Sequence, residues 1–172
     1  MSTSSQVSAA ELQTLSSKAI AAKEAAHCPY SKFRVGACLL TEEREFIVGA
    51  NVENVSYPVG VCAERCAFST AVVGIRDYTM LSPSSSLYVV FYYLAFIPIW
   101  DLIVAGHKNF KAIAVATDIV PGASPCGMCR QFMREFCPPS FPVYMYGGDG
   151  QYTVKTMGEL LPNSFGPNDL PQ

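Results

Sequence analysis

The sequence predicts an α/β fold in which a mixed sheet of about five strands is covered by helices, and three observations carry that reading. Two pairs of β-rich runs, 34–40 with 46–52 and 142–146 with 152–156, are each joined by a charged or glycine-rich turn. The short apolar run Ala112 to Thr117 has the form of a fully buried central strand. Segments of helical spacing or composition separate these runs, in the order α-β-β-α-β-α-β-β-α.

Each element has its own signal. Ser8-Ala-Ala-Glu11 is a capping-box pattern, and Leu12, Leu15, Ala19, Ala22 and Ala26 recur at helical spacing, so a first amphipathic helix should end near His27, before Pro29. Arg34 to Leu40 and Phe46 to Val52 read as a hairpin across Thr41-Glu-Glu-Arg-Glu45. Glu53 to Val61 contains Asn54, Pro58 and Gly60 and should be loop. Cys62 to Val73 is alanine-rich and free of Gly and Pro, which suits a second helix with Cys62 at or near its first turn. After the central strand, Asp118 to Pro125 reads as loop and Gly127 to Phe136 as a third helix opening at a CxxC. Pro142 to Tyr146 and Tyr152 to Thr156 flank Gly147-Gly-Asp-Gly150, a turn composition, and a short helix around Met157 to Leu161 precedes a Pro/Gly/Asn tail.

Composition narrows the function. The 172 residues suit one domain able to bury a core without staples. A formal charge of −2 argues against a protein that coats nucleic acid and favours a small, neutral ligand. Seven cysteines, an odd number, behind an N-terminus without a basic and apolar leader fit a reducing cytoplasm, with thiols used for metal and packing. Leu87 to Val104 carries one charge, Asp101, and reaches the minimum length of a membrane helix. Its interior Pro98, its β-branched and aromatic content and the lack of flanking Lys/Arg clusters weigh against a span.

The chemistry sits in Cys62-Ala-Glu64 and Pro125-Cys-Gly-Met-Cys129. Three thiolates can hold one Zn²⁺ and leave a fourth position open to water, and a carboxylate two residues from the first ligand can move that water's protons. Cys62, Cys126 and Cys129 would lie at helix starts, where unpaired N–H groups favour the thiolate, and Cys126 and Cys129 at i, i+3 share a face. Three thiolates leave such a site net anionic, so a nearby cation should compensate. Arg65 and Arg130 both follow these motifs, and Arg65 is the stronger candidate to donate to a ligand sulfur. A CxxC alone would suit a thioredoxin-type redox pair or half of a structural zinc site; the Cys-Ala-Glu partner shifts the reading to hydrolysis. Cys28, Cys38, Cys66 and Cys137 lack such spacing and read as packing residues, and His27 and His107 read as surface residues.

These motifs together resemble the small, homotetrameric, zinc-dependent cytidine deaminases of pyrimidine salvage. The resemblance runs from Cys28-Pro-Tyr-Ser-Lys-Phe-Arg-Val-Gly-Ala37 through Asn51-Val-Glu-Asn54 and Tyr57-Pro-Val-Gly-Val-Cys-Ala-Glu-Arg65 to Ser124-Pro-Cys-Gly-Met-Cys-Arg-Gln131 and Leu160-Leu-Pro-Asn-Ser-Phe-Gly-Pro167. It implies a three-layer α/β/α sandwich and hydrolytic deamination of cytidine and 2′-deoxycytidine, with one Zn²⁺ per subunit held by Cys62, Cys126 and Cys129 and with Glu64 as the proton shuttle. It also implies that Asn51 and Glu53 hydrogen-bond the sugar hydroxyl groups, that Phe33 lines the pyrimidine site and that Phe165 reaches a neighbouring subunit's site.

Between Val73 and Ala105 the sequence leaves that pattern, and joining Ala71-Val-Val73 to Ala105-Gly-His107 would restore it. The chain therefore reads as a single deaminase-like domain, 1–172, with an atypical apolar insertion at about 74–104. Its composition, clean ends and frame-compatible length favour an intron read through into the sequence over an insertion that covers a subunit interface or tethers the enzyme to a membrane. Two other functions stand beside the leading one. One is a deaminase of a related aminopyrimidine nucleoside; the other is a zinc-stabilised, catalytically silent interaction protein, against which Glu64 argues because a purely structural site would place a fourth ligand there.

Overall fold

The computed structural model describes residues 6–73 and 106–170. Helix α1 spans Ala9–Ala22, with the expected Ser8–Glu11 capping box formed in both directions, and a 3₁₀ turn, Lys23–Ala25, extends it towards His27. Strands β1 (Val35–Thr41) and β2 (Phe46–Ala50) form the first hairpin, followed by α2 (Ala63–Val73). The rest of the described chain is β3 (Phe110–Thr117), α3 (Gly127–Phe136), β4 (Pro142–Tyr146), β5 (Tyr152–Thr156) and a one-turn α4 (Met157–Leu160). The insertion expected at about 74–104, with its apolar run, lies outside the described residues. Among those described, no helix is long and apolar enough to cross a membrane.

The sheet is five-stranded and mixed, in the order β2-β1-β3-β4-β5, with β3 and β4 as its parallel pair. That pair requires a crossover, which α3 supplies. Alternation along the strands builds two cores. Cys38, Leu40, Ala112, Ala114 and Ala116 face Leu15 and Ala19 of α1. Ala37, Leu39, Ile113, Val115 and Val143 face Ala67, Phe68 and Met133 of α2 and α3. The result is the three-layer α/β/α sandwich. Phe68 locks the second layer, packing edge-on to Phe110 at 5.0 Å and stacked on Phe136 at 5.9 Å.

Four strand ends and the burial of Lys111 and His107 differ from the sequence expectation. β2 ends at Ala50 rather than Val52, because the Asn51 side chain accepts the Val35 N–H at 2.9 Å and Val52 turns away to bridge Val61. β1 correspondingly starts at Val35 and runs on to Thr41. β3 begins two residues early, at Phe110, and takes Lys111 into the interior, where its ammonium donates to Glu11 at 2.9 Å. His107 is no surface residue. Its side chain is only 9% exposed, with Nδ1 and Nε2 each 3.0 Å from a carboxylate, of Glu43 and Glu45 respectively.

Strand direction decides where function can sit. β2 and β3 both pair antiparallel with β1, so they run the same way and their C-terminal ends lie at one edge of the sheet. The helices that follow them, α2 and α3, therefore open at that edge. Gly49 sets how closely α2 approaches: a Cβ there would fall 2.4 Å from the Ala63 carbonyl oxygen and 2.5 Å from the Ala67 nitrogen.

Gly49→Ala should therefore destabilise the fold by about 1–3 kcal/mol, measured by denaturant melts, and should lower metal retention because α2 begins beside Cys62. Glu11 supplies a pH test. The Ser8 backbone N–H and the Lys111 ammonium hold its pKa down from 4.5 to about 2. A depressed carboxyl contributes stability above its unfolded value and loses it as pH falls through the folded one. Thermal stability should drop between about pH 4.5 and 2, and Glu11→Gln should flatten that part of the profile.

Candidate metal and catalytic centre

Two helix N-termini deliver the sulfurs. The Cys62 carbonyl accepts the Cys66 N–H at 3.1 Å and the Cys126 carbonyl accepts the Arg130 N–H at 3.0 Å, which makes each cysteine the residue capping its helix. Cys129 lies one turn into α3 and is buried. The Sγ atoms of Cys62, Cys126 and Cys129 all lie within 4.8 Å of one another, with Cys62 and Cys126 3.9 Å apart. Tetrahedral thiolates at the usual Zn–S distance of about 2.3 Å stand about 3.8 Å from each other, so this set fits zinc.

Charge at the cluster is arranged for thiolate. The Cys62 pKa is drawn down to about 5, first by a hydrogen bond from the Cys129 thiol and then by Arg65 and Cys126, against the cost of burial. Cys129 is pushed up in turn, because it holds the proton it donates to Cys62. A metal that displaces this shared proton meets sulfurs already disposed to bear charge. Arg65 places Nη2 3.9 Å from the Cys62 Sγ and 3.2 Å from the Gly60 carbonyl oxygen. Its Nε is buried and has no hydrogen-bond partner among the described residues. Arg130 does other work: it binds the Pro125 and Leu160 carbonyls, each at 2.7 Å, and Ser124 Oγ at 2.9 Å, pinning the start of α3 to α4.

Glu64 lies in the first turn of α2, 4% exposed. Burial, followed by the nearby Cys62 charge, pushes its pKa up. Cys38 and Cys137, by contrast, are buried thiols whose pKa values burial raises, to about 12 for Cys38, in keeping with the packing role expected of them.

A second group forms beside the cluster. Asn51 Oδ1 accepts the Val35 N–H at 2.9 Å and its Nδ2 donates to the Phe33 carbonyl at 2.9 Å. Glu53 accepts the N–H groups of Tyr30 (3.0 Å) and Ser31 (3.2 Å) on Oε2 and the Ser31 hydroxyl on Oε1. Glu53, with Tyr30, Ser31, Asn54, Tyr57 and Gly60, lines an open depression of about 340 Å³, and Arg65 holds the Gly60 carbonyl from the sulfur side. Phe33 joins this group through its backbone, whereas Phe165 stands 62% exposed with its carbonyl accepting from Gln131 Nε2 at 3.3 Å. Sequence reasoning passed over Ser31. Its contact with Glu53 bridges 22 residues, so no local spacing marks it.

A family model described as the cytidine and deoxycytidylate deaminase zinc-binding region matches residues 9–145. The cytidine deaminase of Sporosarcina psychrophila is 36% identical over 160 residues, covering 93% of this chain and 95% of that protein. A probable cytidine deaminase of Dictyostelium discoideum is 35% identical over 161 residues, 93% of this chain and 87% of its own. The crystal structure of cytidine deaminase from Burkholderia pseudomallei aligns with a TM-score of 0.67 at 34% identity, covering 89% of this chain and 98% of that one.

Removing the Arg65 cation should weaken the site without emptying it. Arg65→Gln is expected to lower zinc affinity about 10–100-fold in a competition titration against a chromophoric chelator, with the fold retained by circular dichroism.

Proposed function

This chain belongs to the cytidine and deoxycytidylate deaminase zinc-binding family, and on that premise we propose that it hydrolyses cytidine and 2′-deoxycytidine to the uridine nucleosides and ammonia, in pyrimidine salvage and in the cytoplasm. The observation that carries the reading is a buried carboxyl, Glu64, one residue beyond the start of a helix whose capping cysteine meets two others within 4.8 Å.

In this reading Cys62, Cys126 and Cys129 hold the zinc, and Arg65 offsets the charge of three thiolates. Zinc, when bound, supplies Lewis acidity at an open fourth position and lowers the pKa of water there. Glu64 takes a proton from the attacking water as its oxygen bonds to C4 of the pyrimidine, and delivers that proton to N3. A second proton passes from the new C4 hydroxyl through Glu64 to the amino group, the C4–N4 bond breaks, and N3–H with a C4 carbonyl remains. Burial keeps both transfers from leaking to solvent.

Asn51 and Glu53 meet the sugar. After its two backbone contacts, Asn51 keeps one N–H hydrogen and one lone pair for a hydroxyl group. Phe33 lines the base site. Phe165 completes a neighbouring subunit's site in a homotetramer, and its 62% exposure in a single chain supports that reading. The chain reads as a single domain interrupted at 74–104, and the His107 N–H donating to the Ala71 carbonyl at 2.8 Å supports a closed junction between the two parts.

The loss of cytidine absorbance on incubation with purified, zinc-loaded protein tests the activity, and zinc content of one per chain without turnover would favour a silent binding protein. Glu64→Gln should retain zinc and fold while kcat falls by at least about 10²-fold. Sedimentation should give four chains per particle, and Phe165→Ala should raise KM about tenfold with zinc content unchanged.

A further inference from the structure

We propose that Ser31 is a positioning residue for sugar recognition: its hydroxyl, held between the Phe33 N–H and the Glu53 carboxylate, aims the carboxylate oxygen that receives a substrate hydroxyl. The inference rests on the reading of Glu53 as a sugar contact.

The hydrogen-bond inventory at Glu53 carries it. A carboxylate offers about four acceptor positions. Among the described residues, Oε2 receives two backbone N–H groups, from Tyr30 and Ser31, and Oε1 receives the Ser31 hydroxyl alone. The spare acceptor therefore lies on Oε1, the oxygen that Ser31 holds. The Ser31 hydroxyl cannot turn freely, because its own oxygen accepts the Phe33 N–H at 3.0 Å, which leaves its hydrogen for Glu53. The backbone of Glu53 is fixed as well, its N–H donating to the His27 carbonyl at 2.7 Å. Both ends of the side chain are thus tied, and Glu53 lines the depression together with Tyr30, Ser31 and Asn54.

Ser31 also connects the residues assigned to the two halves of a nucleoside. Phe33 donates its N–H to Ser31 and accepts from Asn51 through its carbonyl, so the chain Glu53–Ser31–Phe33–Asn51 joins the two sugar contacts through the base-site residue. Losing the hydroxyl leaves Oε1 without its donor and lets the carboxylate swing about its Oε2 contacts. A substrate hydroxyl must then order the acceptor as it binds. The cost falls on substrates that use that acceptor and spares those that do not.

Steady-state kinetics on cytidine and on 2′,3′-dideoxycytidine, which lacks the 2′- and 3′-hydroxyl groups and keeps the 5′-hydroxyl, test the assignment to the ring hydroxyl groups. Ser31→Ala should raise KM for cytidine about tenfold with kcat within about twofold, and should leave dideoxycytidine kcat/KM within about twofold, so that the preference for the hydroxylated sugar collapses. Ser31→Thr, which keeps the hydroxyl, should restore the preference. If Ser31→Ala weakens both substrates equally, or leaves the preference intact while Glu53→Gln abolishes it, Ser31 has no positioning role and the sugar contact stands. If Glu53→Gln leaves the preference intact, the sugar reading of Glu53 falls and the role of Ser31 falls with it. No turnover of either substrate by the unaltered chain would overturn the underlying activity.

Discussion

Three sulfurs within 4.8 Å of one another are an electrostatic demand, and much of this structure is arranged to meet it. Like charges so close cannot all ionise unaided, so the cluster needs positive charge from several sources. Two helix N-termini supply partial charge from unpaired N–H groups, and Arg65 supplies a whole one. The helices can converge there because β2 and β3 run the same way and because Gly49 lets the backbone of α2 sit against the strand. Zinc completes the balance in the family to which the chain belongs.

The substrate side obeys a different constraint. Its polar groups lie near the surface, where hydrogen bonds compete with water, and it gains order by linking them in series. Asn51 ends the β1–β2 ladder by substituting a side-chain oxygen for a backbone partner. The turn at 30–31 then wraps the Glu53 carboxylate in donors, which hold its pKa below the usual range, the Ser31 hydroxyl foremost. The depression is lined by residues that follow the end of the regular sheet, Glu53 and Asn54 among them.

Rigidity comes from the opposite edge. There Glu11 pairs with the buried Lys111, and His107 lies between Glu43 and Glu45 while its backbone binds the last turn of α2. These contacts tie α1, the first hairpin and β3 together at the end away from the sulfurs. Separation of this kind leaves the chemical edge free to carry a raised carboxyl pKa and a buried guanidinium nitrogen without a partner among the described residues, features that would weaken a purely structural region.

The sequence by itself determined the element order, the capping box, both hairpins and the bounds of α3, since each follows from local signals that neighbouring residues do not override. The metal-binding motifs were legible for the same reason, because ligand chemistry is written in residue type and short spacing. Tertiary structure alone decided the rest. Whether Cys62 meets Cys126, across 64 residues, depends on strand direction; whether Arg65 or Arg130 serves the sulfurs depends on which carbonyls Arg130 already binds. Lys111 enters the core only because Glu11, a hundred residues away, is there to meet it. Ser31 acquires its place through Glu53 in the same way. Periodicity and propensity act over a few residues, whereas a hydrogen bond or an ion pair between distant segments exists only once the sheet has set their distance.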